Sequence, residues 1–155
     1  MTKMYLYKLV IIAIVISFFG PLATATIINI PDDYPTIAEG IEASVNGDTV
    51  LVAPGEYWEV FGLQGKNILL TSSHGPDTTI LHGGVVFIEE EDSSCIFRGF
   101  GIVGDGMRTC VQCGPNVRAI IIGNIIRDNS GMGISGVFTA NSYALITNNI
   151  IKNNS

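Results

Sequence analysis

The amino-acid sequence predicts an all-β protein that folds as a parallel β-helix (a solenoid), with one short amphipathic helix near its N-terminus. The phrase GNIIRDNSG at 123–131 returns as NNIIKNNS at 148–155, 25 positions later. After residue 48 the chain consists of short apolar runs between Gly, Asn, Ser and Asp, a pattern typical of many short strands. A sandwich or a barrel would also have short strands, but the constant spacing favours a coil stacked on itself.

The repeated phrases also place similar residues in columns. When Gly99, Gly123 and Asn148 are aligned, the offsets are 24 and 25 residues. Three columns then appear: Ile96, Ile120 and Leu145; Ile102, Ile126 and Ile151; and Asn124 with Asn149. In a parallel β-helix each strand lies about 4.8 Å from the equivalent strand of the next turn. We therefore expect the apolar columns to stack inside and the asparagines to form a hydrogen-bonded ladder.

Residues 1–25 have the features of a secretory signal peptide. Lys3 and Lys8 precede an uninterrupted apolar run from Leu9 to Phe19, and Ala23-Thr24-Ala25 forms an A-x-A cleavage site. The run of 11 residues is shorter than the roughly 20 that a membrane span needs. The sequence therefore predicts cleavage after Ala25 and an exported protein, whether extracellular, on the cell surface or in the periplasm, without a membrane span in the mature chain. An uncleaved N-terminal anchor is the alternative.

Residues 26–47 form an N-terminal segment with a predicted capping helix at about 37–45. Thr36 and Glu39 match a capping box, and Asn46-Gly47 supplies a left-handed stop. Ile37, Ile41 and Val45 recur at helical spacing and should form one apolar stripe.

Residues 48–155 are predicted to form the rungs of the coil, about four turns at this period. The sequence stops inside a repeated segment, so we expect the series of rungs to be incomplete at the C-terminus.

The charge excludes two classes of partner. The chain has a net charge of −6, and removal of Lys3 and Lys8 with the signal peptide changes it to −8. The remaining basic residues are scattered, whereas nucleic acids and anionic membranes are bound by basic faces. The composition does not predict an oligomeric state.

Two stretches carry a resemblance to a known family. IPDDYPTIAEGIEASVNGDTVLVAPGEYWE at 30–59 and KNILLTSSHGPDTTILHGG at 66–84 resemble the start of exported right-handed parallel β-helix proteins of the pectin-lyase-like superfamily. The resemblance covers nearly all of 28–155 and is most specific at 31–59. It implies a right-handed coil whose open N-terminal end is closed by the helix, which would cover unpaired strand edges.

The same N-terminal stretch is similar to the beginning of pectin methylesterases. Those enzymes carry Q-A-V-A-L, Q-D-T and D-F-I-F-G motifs on successive rungs. The corresponding region of this sequence, residues 101–131, contains none of them. Fold alone does not confer activity.

Other enzymes on this fold use acidic side chains, sometimes with calcium and an arginine base. Asp105 and Asp128 are therefore the weak catalytic candidates. Arg108 and Arg127 lie near them in the sequence. The period aligns Asp105 with position 129 rather than 128, so the alternative is an aspartate that stabilises a turn.

The acidic run at 89–92 is the weak candidate for a metal site. Glu89, Glu91 and Asp92 could supply oxygen ligands to calcium, the one cofactor that the sequence suggests. Adjacent strand residues alternate faces, so the alternative is a solvated loop that keeps a strand edge charged.

Three cysteines, Cys95, Cys110 and Cys113, follow the acidic run. In an oxidising compartment Cys95 could form a disulfide with Cys110 or Cys113, or all three could be buried small residues of the wall. Some exported β-helix proteins resemble accessory factors of copper enzymes, for which Cys110, Cys113 and His82 are the candidate ligands. His82 and His74 otherwise have the sequence context of turn residues.

Aromatic residues suggest a binding surface. Tyr57, Trp58 and Phe61 cluster after the first predicted rung and could stack against sugars, or they could pack in the core. Trp58 should project outward if Tyr57 packs inward. The leading hypothesis is an exported or cell-surface module with a structural, carbohydrate-binding or partner-binding role. The alternative is the N-terminal fragment of a polysaccharide-active enzyme: a lyase, a hydrolase or an enzyme similar to pectin esterases.

Overall fold

The computed structural model describes residues 24–104, 110–129 and 136–154, which form fifteen strands and one helix. The helix α1 is Ile37–Ala43. The strands in chain order are β1 (Ile27–Ile30), β2 (Thr49–Val52), β3 (Gly55–Tyr57), β4 (Val60–Gly62), β5 (Leu69–Ser72), β6 (Thr79–His82), β7 (Gly84–Phe87), β8 (Ile96–Arg98), β9 (Gly101–Val103), β10 (Val111–Cys113), β11 (Ile120–Ile122), β12 (Ile125–Arg127), β13 (Val137–Thr139), β14 (Leu145–Thr147) and β15 (Ile150–Lys152).

The strands form three parallel sheets that the chain visits in rotation. The first sheet has the order β1-β2-β5-β8-β11-β14, the second has β3-β6-β9-β12-β15 and the third has β4-β7-β10-β13. Every pairing joins strands of successive turns in parallel, which is the topology of a β-solenoid of about five turns. The predicted fold class is confirmed. Strand β1, which the sequence analysis did not recognise, pairs with β2 ahead of the four turns that it counted.

The predicted columns are confirmed by the strand register. Ile96, Ile120 and Leu145 are partners in the first sheet, and Ile102, Ile126 and Ile151 are partners in the second. Only the second column faces inward as expected. In the first sheet the buried column lies one residue further on, at Phe97 and Ile121, and the predicted column lies on the outer surface. Since side chains alternate along a strand, a difference of one residue decides which column is buried.

The core fills the space between the three sheets. Phe97 stacks on Phe100 with ring centroids 4.8 Å apart and contacts Phe87 edge-on. The inward residues of all three sheets join one continuous cluster, which extends from Ile28 beside the helix to Ile126. The core is thus continuous along the coil axis, as expected of a stacked repeat.

The turns between the first and second sheets use a left-handed residue in each of the last three turns. Gly99, Gly123 and Asn148 have φ angles of 80°, 68° and 53°. Glycine adopts this region without strain and asparagine tolerates it better than most residues do. This requirement explains why these three positions align in the repeated phrases.

Asparagine side chains connect successive turns, as predicted. Asn124 Nδ2 donates to Asn149 Oδ1 at 3.1 Å, and the Phe100 amide donates to Asn124 Oδ1 at 3.0 Å. A second ladder, which the sequence analysis missed, joins Asn129 to Asn154: the Asn129 amide donates to Asn154 Oδ1 at 3.2 Å. The ladders satisfy backbone groups where the chain leaves one sheet for the next.

Helix α1 covers the N-terminal end of the coil by packing on β1, β2 and β4. Ile37 and Ile41 are fully buried, and Thr36 Oγ1 accepts the Glu39 amide at 3.2 Å, so the predicted stripe and N-cap are confirmed at these positions. The helix ends at Ala43 instead of the predicted residue 45, because the backbone of Ser44 is extended (ψ 158°). Val45 is therefore exposed and does not belong to the apolar stripe. No helix within the described residues is long and apolar enough to cross a membrane.

Candidate binding site on the outer face of the second sheet

The second sheet turns one set of side chains toward the core and the next set outward. Tyr57, Leu81, Ile102 and Ile126 lie in one column on the inner side. Each inner residue is followed by an outward one, because side chains alternate along a strand. The resulting outer column contains Trp58, His82, Val103, Arg127 and Lys152.

At the N-terminal end of this column the three side chains Trp58, His82 and Glu56 form a unit, which we call the Trp58 platform. The rings of Trp58 and His82 stack with centroids 4.7 Å apart and planes inclined by 10°. His82 Nε2 lies 3.1 Å from Glu56 Oε2. Glu56 therefore orients the imidazole and the imidazole supports one face of the indole. Trp58 is 71% exposed, so its other face is open to solvent.

The other two predicted sugar-stacking residues do not share this surface. Phe61 is buried in the core, because it faces inward on β4. Tyr57 packs against the core and its hydroxyl donates to the Ala53 carbonyl at 3.0 Å. Burial, together with the negative charge of Glu59, raises the pKa of Tyr57. Of the three aromatic residues, only Trp58 points outward, as expected if Tyr57 packs inward.

The remainder of the outer face is mostly aliphatic. Ile80, Ile125 and Ile150 lie beside the outer column, on the strands that carry His82, Arg127 and Lys152. The cations of this outer face lie on β12 and β15, away from the Trp58 platform. Arg127 Nη1 on β12 contacts Asp128 Oδ2 at 2.6 Å, and Lys152 lies on the neighbouring strand β15. The face thus combines an aromatic end with an aliphatic middle and a basic far end.

The acidic run does not form a cation site in the described part of the chain. Glu91 is only 1% exposed, and its carboxylate accepts the backbone amides of Gly65 (3.2 Å) and Glu89 (2.9 Å). Asp92 Oδ1 accepts the Ser94 hydroxyl and amide, and these hydrogen bonds lower the pKa of Asp92. Among the described residues, no three His, Cys, Asp or Glu side chains converge to hold a metal. Glu91 thus has a structural role that the solvated-loop interpretation did not foresee.

Exposed Glu89 and Glu90 line a groove of about 360 Å³ with Arg118 and Asn116. Arg118 also lies over the Tyr143 ring, 5.7 Å from its centroid.

The catalytic candidates are not brought together by any described contact. Asp128 occupies a left-handed turn position (φ 57°), and hydrogen bonds from Arg127 and then Asn153 lower the pKa of its carboxyl. Asp105 and Arg108 lie outside the described residues.

All three cysteines are buried. Burial, reinforced by the negative charge of Glu91, raises the pKa of Cys95 and of Cys113 to about 12. Cys110 donates its thiol hydrogen to Asn129 Oδ1. The burial of the three cysteines agrees with the alternative of small residues in the wall, and the disulfide stays a prediction. Of the candidate copper ligands, Cys110 and Cys113 are buried, whereas His82 lies on the outer surface. His74 is exposed and contacts the Ser73 hydroxyl at 2.8 Å.

Comparison with known proteins gives no independent assignment. No protein-family model, no curated protein and no solved structure matches the chain.

Sequence reasoning selected Trp58 but missed its two supporting residues. Trp58 and His82 are 24 positions apart, which is the period of the repeat. Applying that period to Trp58 would have placed His82 beside it on the next strand.

Proposed function

We propose that this chain is an exported, right-handed β-helical module that binds a polysaccharide through the Trp58 platform. Export is supported by the features of residues 1–25, and the right-handed sense by the strong preference of parallel crossover connections. Binding rests on one observation: a tryptophan stacked on a histidine, with its other face open.

An exposed aromatic face suits a sugar ring. The face of an indole carries partial negative charge and attracts the polarised C–H groups of a pyranose, while its large apolar area is removed from water. A binding side chain that is already held in place also loses less conformational entropy when the ligand arrives. His82 and Glu56 fix Trp58 in this way.

The shape of the surrounding surface suits an extended ligand. The second sheet is five strands wide, and strand spacing gives a length of about 19 Å from β3 to β15. Between its ends the outer column contains Val103, and Ile80 and Ile125 lie next to it. His82 lies between Trp58 and this aliphatic strip, so a glycan chain stacked on Trp58 can continue along the strip by passing over the exposed edge of His82.

The other predicted function, a polysaccharide-active enzyme, has no comparable geometry in the described residues. Its candidate Asp128 is engaged by Arg127 and Asn153 in a turn. Binding through Trp58 is therefore the proposed function.

Co-sedimentation with insoluble polysaccharides tests the proposal. The mature protein is mixed with cellulose, xylan, mannan, chitin and bead-coupled polygalacturonate, and the bound fraction is measured. We expect saturable binding to at least one, and Trp58→Ala should weaken it about tenfold or more, as loss of a central aromatic contact does.

Tyr143→Ala is the matched control, because Tyr143 is 70% exposed but is not among the outer-face residues of the second sheet. It should leave binding unchanged. Failure to bind any of the five polymers, or equal losses in the two variants, contradicts the proposal.

A further inference from the structure

The outer face of the first sheet is a second surface, separate from the Trp58 platform, and it is aliphatic along its length. Side chains alternate along a strand, so each of the six strands of this sheet turns two residues outward. The strand register places one outward residue of each strand in a single column, which we call the aliphatic column: Ile27, Thr49, Leu69, Ile96, Ile120 and Leu145. At the spacing of parallel strands the column is about 24 Å long.

The aliphatic column is open to solvent. Its end members Ile27 and Leu145 are 58% and 53% exposed, and the four residues between them are half-buried by their neighbours in the sheet. Among the described elements, only α1 packs on this sheet from outside it, and it does so from the core side, where Gly40 approaches the buried side chain of Ile30. A continuous apolar strip of this kind is typical of a surface that binds a partner.

The charges of this face are all positive. None of its outward residues is acidic, although the chain has 14 Asp and Glu against 8 Lys and Arg. Arg98 follows Ile96 by two residues and borders the column on one side, where its Nε donates to Thr71 Oγ1 at 3.2 Å. Arg118 precedes Ile120 by two residues and borders the column on the other side. Within the described part of the chain, neither arginine forms an ion pair.

The acidic groove next to Arg118 belongs to a different surface. It is lined by Glu89, Glu90 and other residues of the corner between the third and first sheets, and none of the lining residues lies on a first-sheet strand. Its carboxylates lower the positive potential at Arg118 more than at Arg98, which is not among the groove residues. Arg98 is therefore the stronger of the two anchors for a negative charge.

This pattern of charge and apolar area distinguishes between occupants. Two copies of the chain packed through this face would bring four arginines into one interface, with no outward acidic residue to pair them. An amphipathic helix with carboxylates on both sides of its aliphatic stripe would pair both arginines. The Cα atoms of Arg98 and Arg118 are about 14 Å apart, from four residues along a strand and one strand spacing. A helix with its side chains is about 10–12 Å wide, so its two flanks reach both guanidinium groups.

We propose that the outer face of the first sheet docks an acidic amphipathic helix of a partner protein. The aliphatic residues of that helix, at i, i+3, i+4 and i+7, lie on the aliphatic column, and its flanking carboxylates pair with Arg98 and Arg118. About 16 residues span the column at 1.5 Å per residue. This role does not depend on the proposed polysaccharide binding, because the two surfaces lie on different sheets.

Two labelled helical peptides of about 18 residues test the proposal. Both have the same leucine pattern, and the leucines are flanked by glutamate in one peptide and by lysine in the other. Fluorescence anisotropy measures their binding to the mature protein. We expect saturable binding of the glutamate peptide, at least tenfold tighter than that of the lysine peptide, and a loss of affinity as salt is added.

Arg98→Glu should weaken binding of the glutamate peptide about fivefold to tenfold, because attraction is replaced by repulsion, and Arg98→Gln should weaken it less. Ile120→Thr, which keeps a β-branched residue, should also weaken it by removing apolar contact. Arg127→Glu is the matched control, since Arg127 is an outward arginine of the second sheet. It should leave binding unchanged, and circular dichroism checks that every variant is folded.

The other occupants give different results. Equal binding of the two peptides, no saturable binding, or equal effects of Arg98→Glu and Arg127→Glu overturns the proposal. Concentration-dependent dimerisation that Ile120→Thr abolishes would assign the face to a second copy of the chain. Displacement of the glutamate peptide by oligogalacturonate would assign it to an acidic glycan. Either of these results also overturns the helix.

Discussion

At the scale of single residues, position within a column decides what each side chain does. Ile126 is fully buried between Ile102 of the preceding turn and Ile151 of the following one. Ile151 is 50% exposed although it occupies the same column, because it belongs to the last described turn. Arg127, one position further along, points outward and contacts its neighbour Asp128. Chemically similar residues in one column thus differ in environment.

Alanine substitutions along this column should show the difference in the free energy of unfolding. Ile126→Ala should cost about 2–5 kcal/mol, because it leaves a cavity between packed turns. Ile151→Ala should cost clearly less, since water already reaches that side chain. Arg127→Ala is the control and should cost about 0.5 kcal/mol or less. Denaturant unfolding of the three variants measures the order, and equal losses at Ile126 and Arg127 would contradict the register.

At the scale of elements, the N-terminal helix is held by groups distant in sequence. Glu59 accepts the amides of Ile37 and Ala38 at 3.1 and 3.0 Å, and these are otherwise unpaired at a helix start. At the other end Lys66 Nζ donates to the Ile41 and Glu42 carbonyls at 2.6 and 2.7 Å. Both partners also suit the helix dipole, with a negative group at its N-terminus and a positive one at its C-terminus.

Asp48 connects the residue before β1 to the loop after the helix and should make this end of the coil sensitive to acid. Its two carboxylate oxygens accept the Thr26 and Val45 amides, both at 2.8 Å. The Val45 bond and then the Thr26 bond lower the pKa of Asp48 below its ordinary value of 3.8. A folded-state pKa below the unfolded one means that ionised Asp48 stabilises the fold above the unfolded pKa. That contribution is lost as the pH falls through the folded pKa.

Thermal unfolding between pH 7 and pH 2 checks this expectation. Asp48→Asn should be less stable than the parent at neutral pH, and the difference should shrink below about pH 4, where the parent loses the same charge. Asp92 and Asp128 have pKa values lowered in the same direction, so the parent curve alone does not isolate Asp48. A difference that stays constant across the pH range would contradict the assignment.

At the scale of the whole molecule, three short parallel sheets wind round one continuous core, and α1 covers the first turn. The strands have three or four residues each, so no single strand is stable alone and each depends on the turns before and after it.

Processing after Ala25 should leave Thr26 as the first residue of the exported protein. In the structure the Thr26 amide donates to Asp48 Oδ1, so a new α-ammonium group there would meet a carboxylate. N-terminal sequencing of exported material should begin at Thr26 or within a residue or two. Recovery of intact Met1 from the exported protein would contradict cleavage.

The sequence by itself determined the solenoid, two of its apolar columns, one asparagine ladder and the helix with its cap. Each depends on local spacing: a period of 24 or 25 residues for the late turns, and 3.6 for the helix. In the first sheet the period fails in the early turns, where Leu69 lies 20 residues after its partner Thr49 and 27 before its partner Ile96. This irregularity hid β1 and the alignment of the first rungs.

Only the tertiary structure decided which columns are buried and which side chains meet across turns. Strands of three residues are too short for alternation to show which face is inside, so Phe97 rather than Ile96 faces the core. The anchoring of α1 by Glu59 and the stacking of Trp58 on His82 join residues about one turn apart. Such contacts depend on turn lengths that vary along the coil, and they form only when its strands come into register.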